Sequence, residues 1–182
     1  GPLILVIGIV SVLAMLGYVG GPFPYGYRAL GEVFVFTFFG LVATVGSRFV
    51  HDATAPLSAW LLAIPVGMLV TAILVVNNYR DIDTDRAADK RTLAVVLGRD
   101  RTRTLFAILA YGGFPLIVFF AVFGWTPQAT MFAGLLAPFG SGPVRIVYAK
   151  TEGAALIRAL QLTSKLHLWT GVVLAGGAAL TF

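Results

Sequence analysis

Four aspartates and four basic residues fall within positions 77–91, which read Asn-Asn-Tyr-Arg-Asp-Ile-Asp-Thr-Asp-Arg-Ala-Ala-Asp-Lys-Arg. Residues 53–76 on one side and 104–144 on the other carry no charge at all. Charge this dense at the mouth of a long apolar run needs a partner, and a metal ion with an anionic substrate supplies one. On a helix that continued through the motif, Asn77, Asp81 and Asp85 would stand at i, i+4 and i+8. One amide and two carboxylates would then line a single wall. These donors are all oxygens, which suits Mg²⁺: it usually holds one or two carboxylates and keeps waters and substrate phosphate oxygens for the rest. Carboxylates at a helix C-terminus meet the negative end of its dipole, and a bound cation reverses that sign. Lys90 and Arg91 follow closely and could take phosphate oxygens that the metal leaves free. The bland alternative is a solvated loop whose mixed charges pair among themselves, and spacing alone leaves both readings open.

The elements that must position these groups are membrane helices. Of 182 residues, 58% are hydrophobic and only 12% charged, with mean hydropathy +0.90. A soluble domain carries about 25% charged residues. The uncharged runs meet the ~20 residues that a bilayer crossing requires. Apolar runs predict six spans, at about 3–19, 31–49, 57–76, 104–123, 129–148 and 166–182, which makes an all-α polytopic bundle in a single domain. Pro138 and the run Gly140-Ser141-Gly142-Pro143 should kink or thin the second half of the fifth span. Residues 92–103 read as a basic helix lying in the interface, with Arg99, Arg101 and Arg103 toward headgroups. Residues 150–165 read as an amphipathic, mildly basic connection. Loops on one side of this topology hold all but one of the thirteen basic residues, so the aspartate stretch is expected to face the cytoplasm. The same bias accounts for a pI near 9.9 without nucleic acid. There is no cysteine, and the two histidines, His51 and His167, are too far apart in sequence to suggest a zinc-like cluster.

Residues 77–99, from Asn77-Asn78-Tyr79-Arg80-Asp81 through Lys90-Arg91-Thr92-Leu93-Ala94 to Gly98-Arg99, resemble the second aspartate-rich motif of the UbiA superfamily of intramembrane aromatic prenyltransferases. The Asn-Asn-x-Arg-Asp-x-x-x-Asp opening and the Lys-Arg-Thr-Leu-Ala tail are most similar to the branch that prenylates 1,4-dihydroxy-2-naphthoate. Gly20-Gly21-Pro22-Phe23-Pro24, Tyr27-Arg28-Ala29-Leu30-Gly31-Glu32 and Phe38-Phe39-Gly40-Leu41-Val42-Ala43 also look like that branch. One departure is Asp89, where the family commonly has glycine before the lysine, and this bears on the local loop shape.

The resemblance implies a nine-helix fold in which two aspartate motifs face each other, with six spans and one motif represented here. No Asn-Asp-x-x-x-Asp partner precedes the motif. The chain opens Gly1-Pro2 without a basic leader, so it is expected to begin mid-protein, behind about three helices, and to be inactive alone. The implied reaction transfers a polyprenyl chain from an allylic diphosphate to the naphthoate ring, giving demethylmenaquinone for menaquinone synthesis. Under the resemblance Asp81, Asp85 and Asn77 hold Mg²⁺ and serve catalysis, while Arg80, Lys90 and Arg91 bind the diphosphate. Tyr27 and Glu32 border the aromatic acceptor, and the active site opens to the cytoplasmic side of the inner membrane. Phe34, Phe36, Phe38 and Phe39 read as lipid or packing contacts, and Arg48 as a residue that snorkels. Two alternatives stay open: a UbiA-type enzyme with another ring acceptor, such as 4-hydroxybenzoate or homogentisate, and a non-catalytic transporter bundle. Transporters place ionisable groups at the bilayer midplane, whereas these crowd one face.

Overall fold

The computed structural model describes residues 2–22 and 24–180. Its elements are helical throughout: α1 (Pro2–Val19), a short 3₁₀ turn (Tyr25–Tyr27), α2 (Gly31–Asp52), α3 (Leu57–Arg80), α4 (Ile82–Ala87), α5 (Leu93–Val122), a 3₁₀ segment (Gln128–Gly140), α6 (Ser141–Ala149) and α7 (Gly153–Ala179). Among the described residues there is no strand, only an isolated parallel bridge between Arg28 and Arg91. The all-α expectation is met. Helices α2, α3 and α5 are long and apolar enough to cross a bilayer, and the chain is an integral membrane protein.

Helix α3 is the hub, packing against α5, α7 and the middle of α2. Its own sequence explains how neighbours come so close. In lipid there is no hydrophobic drive to bring helices together, so packing relies on small residues that let backbones meet. A Cβ on Gly40 of α2 would stand 2.4 Å from the Cα of Gly67 in α3. One on Gly113 of α5 would lie 3.0 Å from the Pro65 Cβ. Around Gly40, residues Phe36–Val42 widen into π-helical turns, a local irregularity that often marks a functional region.

Three expectations are corrected. First, the fifth span is irregular in its first half: Gln128–Gly140 winds as 3₁₀ helix and Ser141–Ala149 is regular α. Packing accounts for this, since a Cβ on Gly134 would meet Val118 at 2.6 Å and one on Gly140 would meet Tyr111 at 3.1 Å. Thirteen residues at about 2.0 Å rise cover roughly 26 Å, so the tighter coil still traverses most of a bilayer. Second, residues 92–103 are not a separate interfacial helix. Gly98, at φ 74° and ψ 173°, breaks α5, and Arg99, Arg101 and Arg103 belong to the long limb beyond it. Third, residues 150–165 are no connection, because α7 runs unbroken from Gly153 into the last span. Positions 181 and 182 of that span, together with Gly1 and Phe23, lie outside the described residues.

Candidate active site

The polar end of α3 breaks where the motif begins. Asp81 takes φ −95° and ψ 8°, and α4 restarts at Ile82, so the helix breaks within the motif rather than continuing through it. Backbone bonds nevertheless keep the one-turn spacing, from Asp81 N to Asn77 O at 3.2 Å and from Asp85 N to Asp81 O at 2.8 Å.

Each of the three oxygen donors has a cation or hydroxyl at hand. Arg80 donates through Nε and Nη2 to the two Asp81 oxygens, both at 2.7 Å, and Nη2 also reaches Asn77 Oδ1 at 3.0 Å. Asp85 is buried; Lys90 Nζ donates to its Oδ1 at 3.2 Å, and the buried Thr92 hydroxyl lies 3.4 Å from Oδ2. Asp83 is exposed and pairs with Arg99 at 2.8 Å. The mutual pairing of the bland reading is therefore present, but it is built around one buried carboxylate.

Asp89 is exposed and adopts φ +53°, the left-handed region where glycine costs nothing and other residues are strained. That is the shape a glycine at this position would take. Arg91 is exposed and meets Arg28 through the isolated bridge, while Lys90 sits over the Tyr27 ring at 5.9 Å. The turn after α1 is thereby tied to the tail of the motif.

Several residues with no assigned role in the sequence reading complete the surroundings. Asn78 is buried and donates its Nδ2 to Glu32 Oε1 at 3.0 Å. Tyr79 is fully buried, its hydroxyl accepts from Arg103 Nε at 2.8 Å, and Arg99 and Arg103 lie against its ring. Such pairing suits an aromatic ring with one polar end at a membrane boundary. A cavity of about 680 Å³ lies between α1, α2 and α3, touching α3 at Leu74, one turn before Asn78, and is lined by aromatic and aliphatic side chains including Tyr18, Tyr25, Phe34, Phe38 and Phe39. The Tyr25 and Phe34 rings stack with centroids 3.7 Å apart, and Phe34 stacks on Phe38 at 5.9 Å. Burial pushes the Tyr25 phenol above its ordinary value, and it donates to the Ala14 carbonyl. Three of the four phenylalanines expected to be lipid or packing contacts thus face this cavity. Phe36 instead packs against Gly67. Arg48 pairs with Asp52 in the next turn. Apolar spans hold too many aromatics for sequence to select these few; the one available signal was tyrosine at the end of an apolar run.

Among the described residues no group of three or more His, Cys, Asp or Glu side chains converges to hold a metal ion by itself. Asn77, Asp81 and Asp85 instead offer an oxygen set that suits a hard cation shared with substrate phosphates, where one or two carboxylates suffice. The residues present fit that kind of ion.

The chain was compared with known proteins. A family model described as the UbiA prenyltransferase family matches residues 1–178. The 1,4-dihydroxy-2-naphthoate octaprenyltransferase of Mycobacterium tuberculosis is 36% identical over 179 residues, covering 98% of this chain and 60% of that protein. The Escherichia coli protein of the same name is 33% identical over 177 residues, 97% of this chain and 58% of its own length. The UbiA prenyltransferase domain-containing protein 1 of Gallus gallus is 32% identical over 102 residues, 56% of this chain and 30% of that one. The chain thus spans about 60% of the length of the first two relatives. No solved structure matches.

Proposed function

Because the chain belongs to the UbiA prenyltransferase family, we propose that the whole protein transfers a polyprenyl chain from an allylic diphosphate to 1,4-dihydroxy-2-naphthoate, forming demethylmenaquinone. The observation that carries this reading is the buried Asp85, paired with Lys90 in the polar segment that follows the central helix. The names of the relatives support the naphthoate acceptor. The site lies on the cytoplasmic side of the inner membrane, in keeping with the loop charges.

Asp81, Asp85 and Asn77 would hold Mg²⁺, and Arg80, Lys90 and Arg91 would take diphosphate oxygens. When the diphosphate arrives, Arg80 and Lys90 exchange carboxylate contacts for phosphate ones, which frees Asp81 and Asp85 without leaving either cation unpaired. Mg²⁺, when bound, supplies Lewis-acid neutralisation of the leaving diphosphate. The aromatic faces lining the cavity would stabilise positive charge on the allylic carbon. The polyprenyl tail needs only apolar walls. Tyr27, held by Lys90, borders the acceptor from the turn above.

The test uses full-length protein in isolated membranes, supplied with polyprenyl diphosphate and a panel of ring acceptors. Prenylated naphthoquinol should form, stop on chelation and return with Mg²⁺. Asp81→Ala and Asp85→Ala should each abolish turnover. Product from 4-hydroxybenzoate or homogentisate alone would move the protein to another acceptor. Full activity in either aspartate variant would remove the assigned roles.

A further inference from the structure

The aspartate motif balances its own charge, and the surplus of the protein lies elsewhere. Residues 1–100 hold seven basic and seven acidic side chains, whereas residues 101–182 hold six basic and one acidic, so the net charge of +5 belongs to the second stretch. Two of those six, Arg158 and Lys165, stand exposed on α7, and among the described residues neither forms an ion pair or a hydrogen bond. They are seven positions apart, two helical turns, so they share one face. Gln161 is exposed between them, and the same face continues as Leu168, Trp169 and Val172, all more than half exposed. The opposite face of α7 is the buried one, packed against α3, α6 and the 3₁₀ segment. α7 therefore presents a stripe that is cationic and polar at one end and apolar at the other.

Packing fixes the depth of this stripe. Leu156 and Ala159 share a buried cluster with Val76 and Tyr79 of α3, and Leu166 shares another with Leu69. Arg158 is thus level with the end of the uncharged run 53–76, while Lys165 stands beside its interior. A rise of 1.5 Å per residue puts Lys165 roughly 10 Å deeper than Arg158. An exposed ammonium at that depth is costly in hydrocarbon, and its flexible stem leads it back toward the headgroups. Side chains on a helix lean toward its N-terminus, which for α7 is the end beside the motif, so Lys165 leans toward Arg158. No acidic side chain lies on α7, and the counter-charge has to come from outside the helix. We infer that this stripe binds an anionic phospholipid, with Arg158, Gln161 and Lys165 on its phosphate and one acyl chain along Leu168, Trp169 and Val172. Basic sites on membrane helices take anionic headgroups in this way. A zwitterionic lipid brings its own cation and gains less, and a soluble phosphate has nothing to lay along the apolar half. The bound lipid neutralises Lys165 where it stands and so fixes how deeply α7 sits. None of this depends on the prenyl-transfer reading.

The experiment uses full-length protein in vesicles of phosphatidylcholine and phosphatidylglycerol, with every tryptophan but Trp169 changed to phenylalanine. Bromine is placed on the acyl chains of one lipid at a time. Brominated chains quench a tryptophan they touch, so the two quenching curves give the preference for phosphatidylglycerol at Trp169. That preference should be about twentyfold at low salt, since each cation beside an anionic headgroup is worth about fivefold, and it should shrink as salt is raised. Arg158→Gln and Lys165→Gln should each lower it about fivefold. Arg101→Gln removes an exposed cation of α5 that is off the stripe, and it should leave the preference unchanged. Equal losses in all three variants would mean a diffuse attraction without a site, and the inference fails. It fails also if neither lipid quenches Trp169, because protein then covers the stripe. Should the single-tryptophan protein not fold, thermal midpoints in detergent decide. Phosphatidylglycerol should raise the midpoint more than phosphatidylcholine does, and the difference should vanish when Arg158→Gln and Lys165→Gln are combined. Equal rises from the two lipids, or a difference that survives in the double variant, overturn the site.

Discussion

The middle of α3 and its polar end are both buried, and they are buried by opposite means. At Pro65 and Gly67 the helix is packed by the lack of side chain: backbone meets backbone at Gly40, and the Pro65 ring meets Gly113. At Asn78 and Tyr79 the same helix is packed by polar groups whose partners come from α2 and α5. Small-residue contacts have one geometry and no chemistry, because dispersion falls off within a fraction of an ångström. Polar contacts can be traded for others of equal strength, which is what the proposed diphosphate site would require of Arg80 and Lys90. On the proposed function, stability therefore resides in the middle of this helix and chemistry at its polar end.

That division can be broken most sharply at Asp85. Asp85→Asn keeps the shape and the Thr92 contact but removes the charge facing Lys90, so full-length protein should lose at least about a hundredfold in turnover, the scale of losing one electrostatic contact in an active site. Its thermal midpoint should stay near that of the wild type. A large fall in the midpoint would mean that the motif is structural after all. Gly177→Val tests the opposite pole. A Cβ on Gly177 would stand 2.7 Å from the Ala129 carbonyl oxygen, so α7 must move away from the 3₁₀ segment. The expected cost is about 1–3 kcal/mol of stability, read as a lower thermal midpoint, with turnover per folded molecule unchanged.

Tyr79→Phe sharpens the polar end. It deletes the hydroxyl that accepts from Arg103 while keeping the ring between two guanidinium groups, and it should cost about 1 kcal/mol. Arg103 has another acceptor, the Val147 carbonyl at 3.2 Å, which limits the loss. The smallest effect is expected at Asp89. Its φ of +53° is strained for aspartate, so Asp89→Gly should raise stability by up to about 1 kcal/mol. A fall in the melting temperature would show that the aspartate side chain holds the turn.

Much of this was written in local pattern. Span positions follow from uncharged runs, and the turn at Gly124, with φ +71°, falls where Gly-Trp-Thr-Pro interrupts them. The departure at Asp89 was visible because a glycine is expected there. Two helix boundaries were misplaced for one reason: composition marks where apolar residues stop, whereas a helix stops where its backbone loses partners. Arg99 opens the long limb of α5 because Gly98 breaks the helix just before it, and Lys165 sits within α7 because nothing between 153 and 166 breaks it. The 3₁₀ winding of 128–140 depends on how closely Gly134 and Gly140 approach α5, and no residue within the segment announces that.

The sequence by itself determined that this is a helical membrane protein with oxygen-bearing side chains and cations gathered at one end of a span. Those properties are local, set by hydropathy over about 20 residues and by the one-turn spacing of Asn77, Asp81 and Asp85. Only the tertiary structure decided that Asp85 is buried while Asp83 is exposed, that Glu32 meets Asn78 across 46 positions, and that Tyr18 and Phe34 share a cavity. Those facts depend on which helix faces which, and that is settled by close approach between residues far apart in the chain.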